Sequence, residues 1–307
     1  MATTSARPTS DHIKAFQRAA LRYYRRHKRD LPWRRTNDPY HILVSEVMLQ
    51  QTQVERVIPK YKSFLLRFPT LRLLARARFA DVLREWLGLG YNGRALRLWQ
   101  CARSVVRDHD GQLPHDAAQL QLLPGIGSYT AAAVAAIAFG ERLAVVDVNV
   151  RRVLARALDG KNDVAAARVS LLAQNALPQS SAAEWAQALM DVGATYCKVI
   201  PRCQACPLRA SCAHSRQDSS RLRRANSGMP TRTKGSPHPF LGSTRYYRGR
   251  VMQALSAGTS ARVAALGRQV KDGFGISDEP WLRDILQGLA RDGLIRIDRA
   301  RDRVRVR

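Results

Sequence analysis

The sequence of 307 residues has no lysine between Lys62 and Lys161, so about a third of the chain offers no side-chain amine as a nucleophile. Acids are scarce throughout: 24 Asp and Glu face 51 Lys and Arg, a net charge of +27. Such an imbalance favours a polyanion partner, because every cation set on a phosphate releases counterions. Long apolar runs are missing too. The longest uncharged stretch, residues 117–140, is interrupted by Pro124, Gly125 and Gly127, and its continuous apolar part begins only at Ala131. That falls short of the roughly 20 residues a bilayer span requires, so no membrane association is expected. The opening MATTSARPTSDHIK lacks an apolar core behind a basic start, so no signal peptide is expected. Internal repeats are absent. A 45% hydrophobic fraction excludes disorder along the whole chain.

Cysteine is rare, and its placement is informative. Four of five crowd into Cys197-x5-Cys203-x2-Cys206-x5-Cys212, a metal-ligand density and not a scattered disulfide framework. Four thiolates suit zinc or an iron–sulfur cluster equally in ligand type. Zinc sites usually pair two close Cys-x2–4-Cys units across a spacer. A single close pair flanked by wider gaps fits a 4Fe–4S cluster better. Cys101 stands alone and is expected to pack. Cytoplasmic, nucleoid-associated residence follows as an expectation.

Residues 11–28 read as a basic helix, with Ile13, Phe16, Ala20, Leu21 and Tyr24 at helical spacing. From His41 to about Asp159 helix follows helix, broken by short Gly/Pro turns, and another helix is expected over Ala182–Val192. The fold class is therefore mainly α. Residues 216–242 are rich in Ser, Arg, Gly and Pro and read as a basic linker. Beyond it, helices near Tyr247–Ser256, Ala261–Lys271 and Glu279–Asp292 precede two alternating runs, 294–297 and 304–307. Three helices followed by a hairpin suggest a small winged-helix-like domain over 243–307.

Three further features carry chemistry. Leu122-Leu123-Pro124-Gly125-Ile126-Gly127-Ser128-Tyr129 joins two helices. Gly125 and Gly127 allow a tight turn with N–H groups exposed at a helix N-terminus, the helix-hairpin-helix element that grips DNA backbone without reading sequence. Asp147, in Val145-Val146-Asp147-Val148-Asn149, starts a helix between apolar neighbours, and capping alone would account for it. Glu46 shares a helix face with Ile42, Leu43, Leu49 and Gln50. Desolvation on such a stripe raises a carboxyl pKa and suits it to general-acid work, although a buried structural Glu reads the same way.

In combination, LPWR, SEVMLQQTQVERVIPKY, GLGYNGRALRL, LPGIGSYTAAAVAAIAFG, VVDVNVRRVLAR and the cysteine loop resemble the endonuclease III superfamily of DNA glycosylases. The match spans about residues 10–215, and SEVMLQQTQ most closely resembles the MutY-type adenine glycosylases. The resemblance implies a helix-hairpin-helix glycosylase fold. A six-helix barrel would span 31–134 and a 4Fe–4S domain 1–30 with 135–215. The target base is expected to be flipped out of double-stranded DNA.

Residue by residue, it implies that Glu46 protonates adenine and Asp147 stabilises the oxocarbenium-like sugar or bonds to it transiently. Asn149 would help position water. Gln51, with Thr52 beside it, and Tyr91 would wedge into the base stack. Leu31 and Trp33 would wall the adenine pocket with Gln187 nearby. Gly125 and Gly127 would hold the DNA, and Cys197, Cys203, Cys206 and Cys212 the cluster. Tyr129 stands where lyases of the superfamily carry the Schiff-base lysine. A phenol forms no imine, so a monofunctional glycosylase is expected, acting as a monomer on adenine opposite 8-oxoguanine or guanine. The alternatives are a thymine or uracil mismatch glycosylase on the same scaffold and a non-catalytic DNA-binding regulator. The chain departs from the pattern in a first cysteine gap of five residues instead of six. Val148 replaces a small residue, and a short C-terminal segment stands where a larger Nudix-like domain is usual.

Overall fold

The computed structural model describes residues 8–216, 240–258 and 260–307. Most of the expected linker, 217–239, lies outside them. The helices are α1 Ser10–His27, α2 Pro39–Leu49, α3 Val54–Arg67, α4 Leu71–Arg76, α5 Phe79–Trp86, α6 Gly93–Asp108, α7 Ala117–Gln121, α8 Ser128–Ala138, α9 Val148–Asp159, α10 Ala166–Asn175, α11 Ala182–Thr195, α12 Thr244–Ala257, α13 Val263–Val270 and α14 Glu279–Arg291. Among the described residues no helix is long and apolar enough to cross a membrane.

Two compact units emerge. One gathers the described chain up to Ile42, His115–Gln121, and from Gly127 to residue 216. The other gathers Leu43–Pro114, Leu122–Ile126, and the described chain from residue 240 onward.

In the first unit, Thr9 caps α1 by accepting from the His12 N–H. One turn apart, Phe16, Ala20 and Tyr24 then bury a single face of α1 against Val150, Leu154, Trp185 and Leu189. Fully burying one such large apolar side chain stabilises by about 1.5–3 kcal/mol, which outweighs the mutual repulsion of the exposed cations on the other face. The Cys197, Cys206 and Cys212 side chains pack at the edge of this core.

In the second unit, Phe64, Phe79, Leu83 and Trp86 are 0–1% exposed and Phe64 meets Trp86 edge-on. Residues 240–307 form three helices and a three-stranded antiparallel sheet in the order β1-β3-β2, with β1 Ala261–Arg262, β2 Ile295–Asp298 and β3 Arg303–Val306. The helix expected from Ala261 begins only at Val263. Ala261 and Arg262 instead pair with Val304 and Arg303, a cross-chain ladder that local helix propensity cannot anticipate.

Candidate active site

Asp147 is the N-cap of α9. Its Oδ1 accepts from the Val150 N–H at 2.6 Å and its Oδ2 from Asn149 Nδ2 at 2.8 Å. Capping thus holds, and it does something more: both carboxylate oxygens are oriented, and the positive end of the helix dipole favours their charge. Asn149 is held in turn, because Arg152 Nη2 donates to its Oδ1 at 2.8 Å and to Gly193 O at 2.9 Å. Arg152 Nε also donates to the Cys197 carbonyl. A Cβ at Gly193 would lie 2.5 Å from Asn149 Cβ, so only glycine lets α11 lie this close to α9. Tyr129, half-buried on the first turn of α8, packs against Ala133, Ala136, Val145 and Ala186.

Leu31 and Trp33 are buried at 5% and 7% exposure. The 31–34 segment carrying them is fixed by Arg34, whose Nη1 and Nη2 donate to the two oxygens of fully buried Asp191 at 2.7 and 2.9 Å. Arg29 Nε adds a third bond at 2.5 Å. Arg34 also lies over the Tyr24 ring, and the Tyr24 hydroxyl donates to Gln187 Oε1. Burial raises the Tyr24 pKa and pushes Tyr23 up to about 12, so both remain phenols. Arg34, which follows the predicted pocket-wall residues in sequence, and Gln187 therefore meet at Tyr24 within this unit.

In the second unit, Glu46 sits on α2 at 8% exposure beside Ile42 and Leu43, each at 1%. Gln51 and Tyr91 are exposed, and both adopt positive φ, 54° and 49°. Left-handed backbone costs a non-glycine residue on the order of 1–2 kcal/mol, so something must hold both turns. That something is Arg94. At 4% exposure, its Nη1 donates to Val47, Met48 and Gln50 carbonyls at 2.8, 2.9 and 2.5 Å. Its Nη2 donates to Thr52 Oγ1 at 3.0 Å and to Leu89 and Gly90 carbonyls at 3.3 and 3.2 Å. Only Nε lacks a partner. Burial lowers its pKa to about 10, which still leaves a cation at neutral pH. One guanidinium therefore joins the C-terminus of the Glu46 helix to the turns bearing Gln51, Thr52 and Tyr91.

Gly125 has φ 79°, and a Cβ there would meet Arg97 Cβ at 2.5 Å. Around Gly127, which caps α8, nothing lies within 4 Å of an added Cβ. Its backbone is open to an approaching phosphate.

The four predicted ligands, Cys197, Cys203, Cys206 and Cys212, are half-buried free thiols lining one pocket. Burial raises the thiol pKa of Cys203 and Cys212 and pushes Cys206 to about 11. Arg156, 1% exposed, braces the loop by donating to the Lys198 and Val199 carbonyls at 2.5 and 3.0 Å and reaching Cys197 Sγ at 3.5 Å. Among the described residues no three His, Cys, Asp or Glu side chains converge as a single-ion site. Four soft thiols lining one pocket fit an iron–sulfur cluster in ligand type.

Sequence reasoning did not single out Arg94, Asp191, Arg152 or Gly193. Arg94 left one signal, its place beside the apolar Ala95, Leu96 and Leu98 at the start of α6.

The pattern of the HhH-GPD superfamily of base excision DNA repair proteins matches residues 44–179. The chain is 39% identical over 280 residues to the adenine DNA glycosylase of Mycolicibacterium smegmatis, covering 90% of each. It is 43% identical to that of Mycobacterium tuberculosis, covering 77% of each chain. The chain belongs to the adenine DNA glycosylase family. To the human adenine DNA glycosylase it is 41% identical over 68% of this chain and 41% of the human one. Among solved structures, a thermostable thymine-DNA glycosylase is similar at TM-score 0.63 and 30% identity, over 67% of this chain and 97% of that one. Endonuclease III trapped on DNA matches at TM-score 0.59 and 22% identity, over 70% and 99%, which bears on the fold alone. The chain is thus a DNA glycosylase of base excision repair on a mainly helical HhH-GPD fold.

Proposed function

We propose that this glycosylase hydrolyses the N-glycosidic bond of adenine mispaired with 8-oxoguanine or guanine in duplex DNA. The observation that carries the reading is the doubly bonded Asp147 carboxylate. A preoriented anion stabilises positive charge developing on the sugar without reorganising. Glu46, largely buried on α2, protonates the departing base, and Asn149 orients the attacking water. The extruded adenine lies against Leu31 and Trp33 with Gln187 in reach, while Gln51 and Tyr91 fill the gap it leaves. Gly125 and Gly127 bring backbone N–H groups to phosphate.

No amine stands at position 129 or anywhere between Lys62 and Lys161, so water is the nucleophile and the product is an unbroken abasic strand. A 4Fe–4S cluster held by Cys197, Cys203, Cys206 and Cys212 would order the loop between them and supply no step of hydrolysis. Cys206→Ser should cost the purified protein its brown colour.

Base release from A·8-oxoG, A·G, A·C, G·T and G·U duplexes tests the reading. Release confined to adenine supports it. Release of thymine from G·T would favour the second reading, which the likeness to a thymine-DNA glycosylase motivates. Strand breaks without hot alkali, trapped by borohydride, would refute the monofunctional assignment.

A further inference from the structure

The segment 240–307 belongs to the same compact unit as the turn that carries Tyr91. Its seat on that unit is specific. Arg84 Nε, on α5, donates to the carbonyl of Ser256 on α12 at 2.6 Å, and Ser256 is 2% exposed. Gly293 lies against Leu96 of α6, where an added Cβ would sit 3.4 Å from Leu96 Cδ2. At the other end of α12, Arg245 of the first turn lies beside Tyr91. Ser243 caps that turn by accepting from the Tyr246 N–H at 3.2 Å, which fixes where Arg245 starts.

Arg245 then places its guanidinium carbon 6.0 Å from the centre of the Tyr91 ring. Arg94 approaches the same ring at 5.6 Å. Arg245 is exposed and, among the described residues, pairs with no acid. Two cations therefore share one aromatic ring that is itself 52% exposed, and an anion placed there would relieve their mutual repulsion. We infer that Arg245 is a DNA-phosphate contact, and that the C-terminal segment is docked so as to extend the duplex-binding surface beside Tyr91. The inference rests on the reading of Tyr91 as a residue that enters the base stack. A base stacked on that ring carries its phosphate one sugar away, within an arginine's reach from the ring's edge. A phosphodiester is favoured over an acidic peptide because aromatic ring and cation together match stacked bases and their backbone.

The test is equilibrium binding of the full chain to a duplex bearing a non-hydrolysable adenosine opposite 8-oxoguanine, measured across a salt series. Loss of one phosphate contact flattens the dependence of log K on log salt by about 0.9. Arg245→Ala is expected to show that change with a several-fold weaker affinity at moderate salt and an unaltered melting temperature. Arg245→Lys should keep the slope. Arg268→Ala, an exposed cation on α13 with no contact to Tyr91 in the structure, controls for net charge and should bind as the parent does. An unchanged slope in Arg245→Ala, or an equal change in Arg268→Ala, overturns the inference. Flattening in Arg245→Ala with unaltered binding in Tyr91→Ala upholds the phosphate contact and refutes the wedge. Base release, read separately, reports on the adenine assignment alone.

Discussion

Asn149 donates to the Asp147 carboxylate at 2.8 Å from the first turn of the very helix that Asp147 caps. Orientation of the anion and initiation of α9 are therefore one arrangement. Asp147→Asn separates them. Asparagine caps helices about as well as aspartate, so the melting temperature should stay within a degree or two. The charge facing the sugar disappears, and single-turnover base release should fall by at least about 100-fold, with duplex affinity retained. A large loss of stability would show that the cap, and not the charge, is what Asp147 supplies.

Glu46→Gln preserves the volume of a side chain 8% exposed while removing the transferable proton. Base release is expected to fall by about 10² to 10⁴, with duplex binding unchanged in a gel-shift assay. Unimpaired release would leave Glu46 as a structural carboxyl.

Arg94 contributes stability and geometry together. Arg94→Ala strips donors from five carbonyls and a hydroxyl. With each buried acceptor left unmade costing about 1–3 kcal/mol unless water reaches it, urea denaturation should show a loss of about 3 kcal/mol or more. Arg94→Lys should recover only part, because a single ammonium lacks the fork that serves both groups of acceptors. In either variant duplex affinity should drop, since the left-handed Gln51 and Tyr91 turns lose their shared brace.

The two glycines Gly193 and Gly127 should answer oppositely to the same substitution. Gly193→Ala drives a methyl to 2.5 Å from Asn149 Cβ and 3.1 Å from its Cα. It should destabilise by about 1–3 kcal/mol and slow base release. Gly127→Ala meets nothing within 4 Å. It should melt as the parent does yet bind duplex more weakly, because the methyl occupies the phosphate's approach. Thermal melts and filter binding on the pair distinguish the two roles.

Much of the candidate site was legible because its signals are local. The cysteine spacing, the Pro-Gly-Ile-Gly turn, the carboxyl on an apolar helix face and the aspartate before a helix each declare themselves within a few residues. Absences were as readable: without a lysine from 63 to 160, no imine chemistry was expected there before any fold was known. Only the tertiary structure decided what holds these parts. Arg94 joins the Gln51 turn to the Tyr91 turn far along the sequence, Asp191 fixes the 31–34 segment from α11, and Gly193 admits Asn149. It also seats Arg245 against Tyr91 and pairs Ala261 with Val304. Such partners follow from close packing and from the need of buried polar groups for bonds, and neither demand leaves a period or a spacing in the sequence.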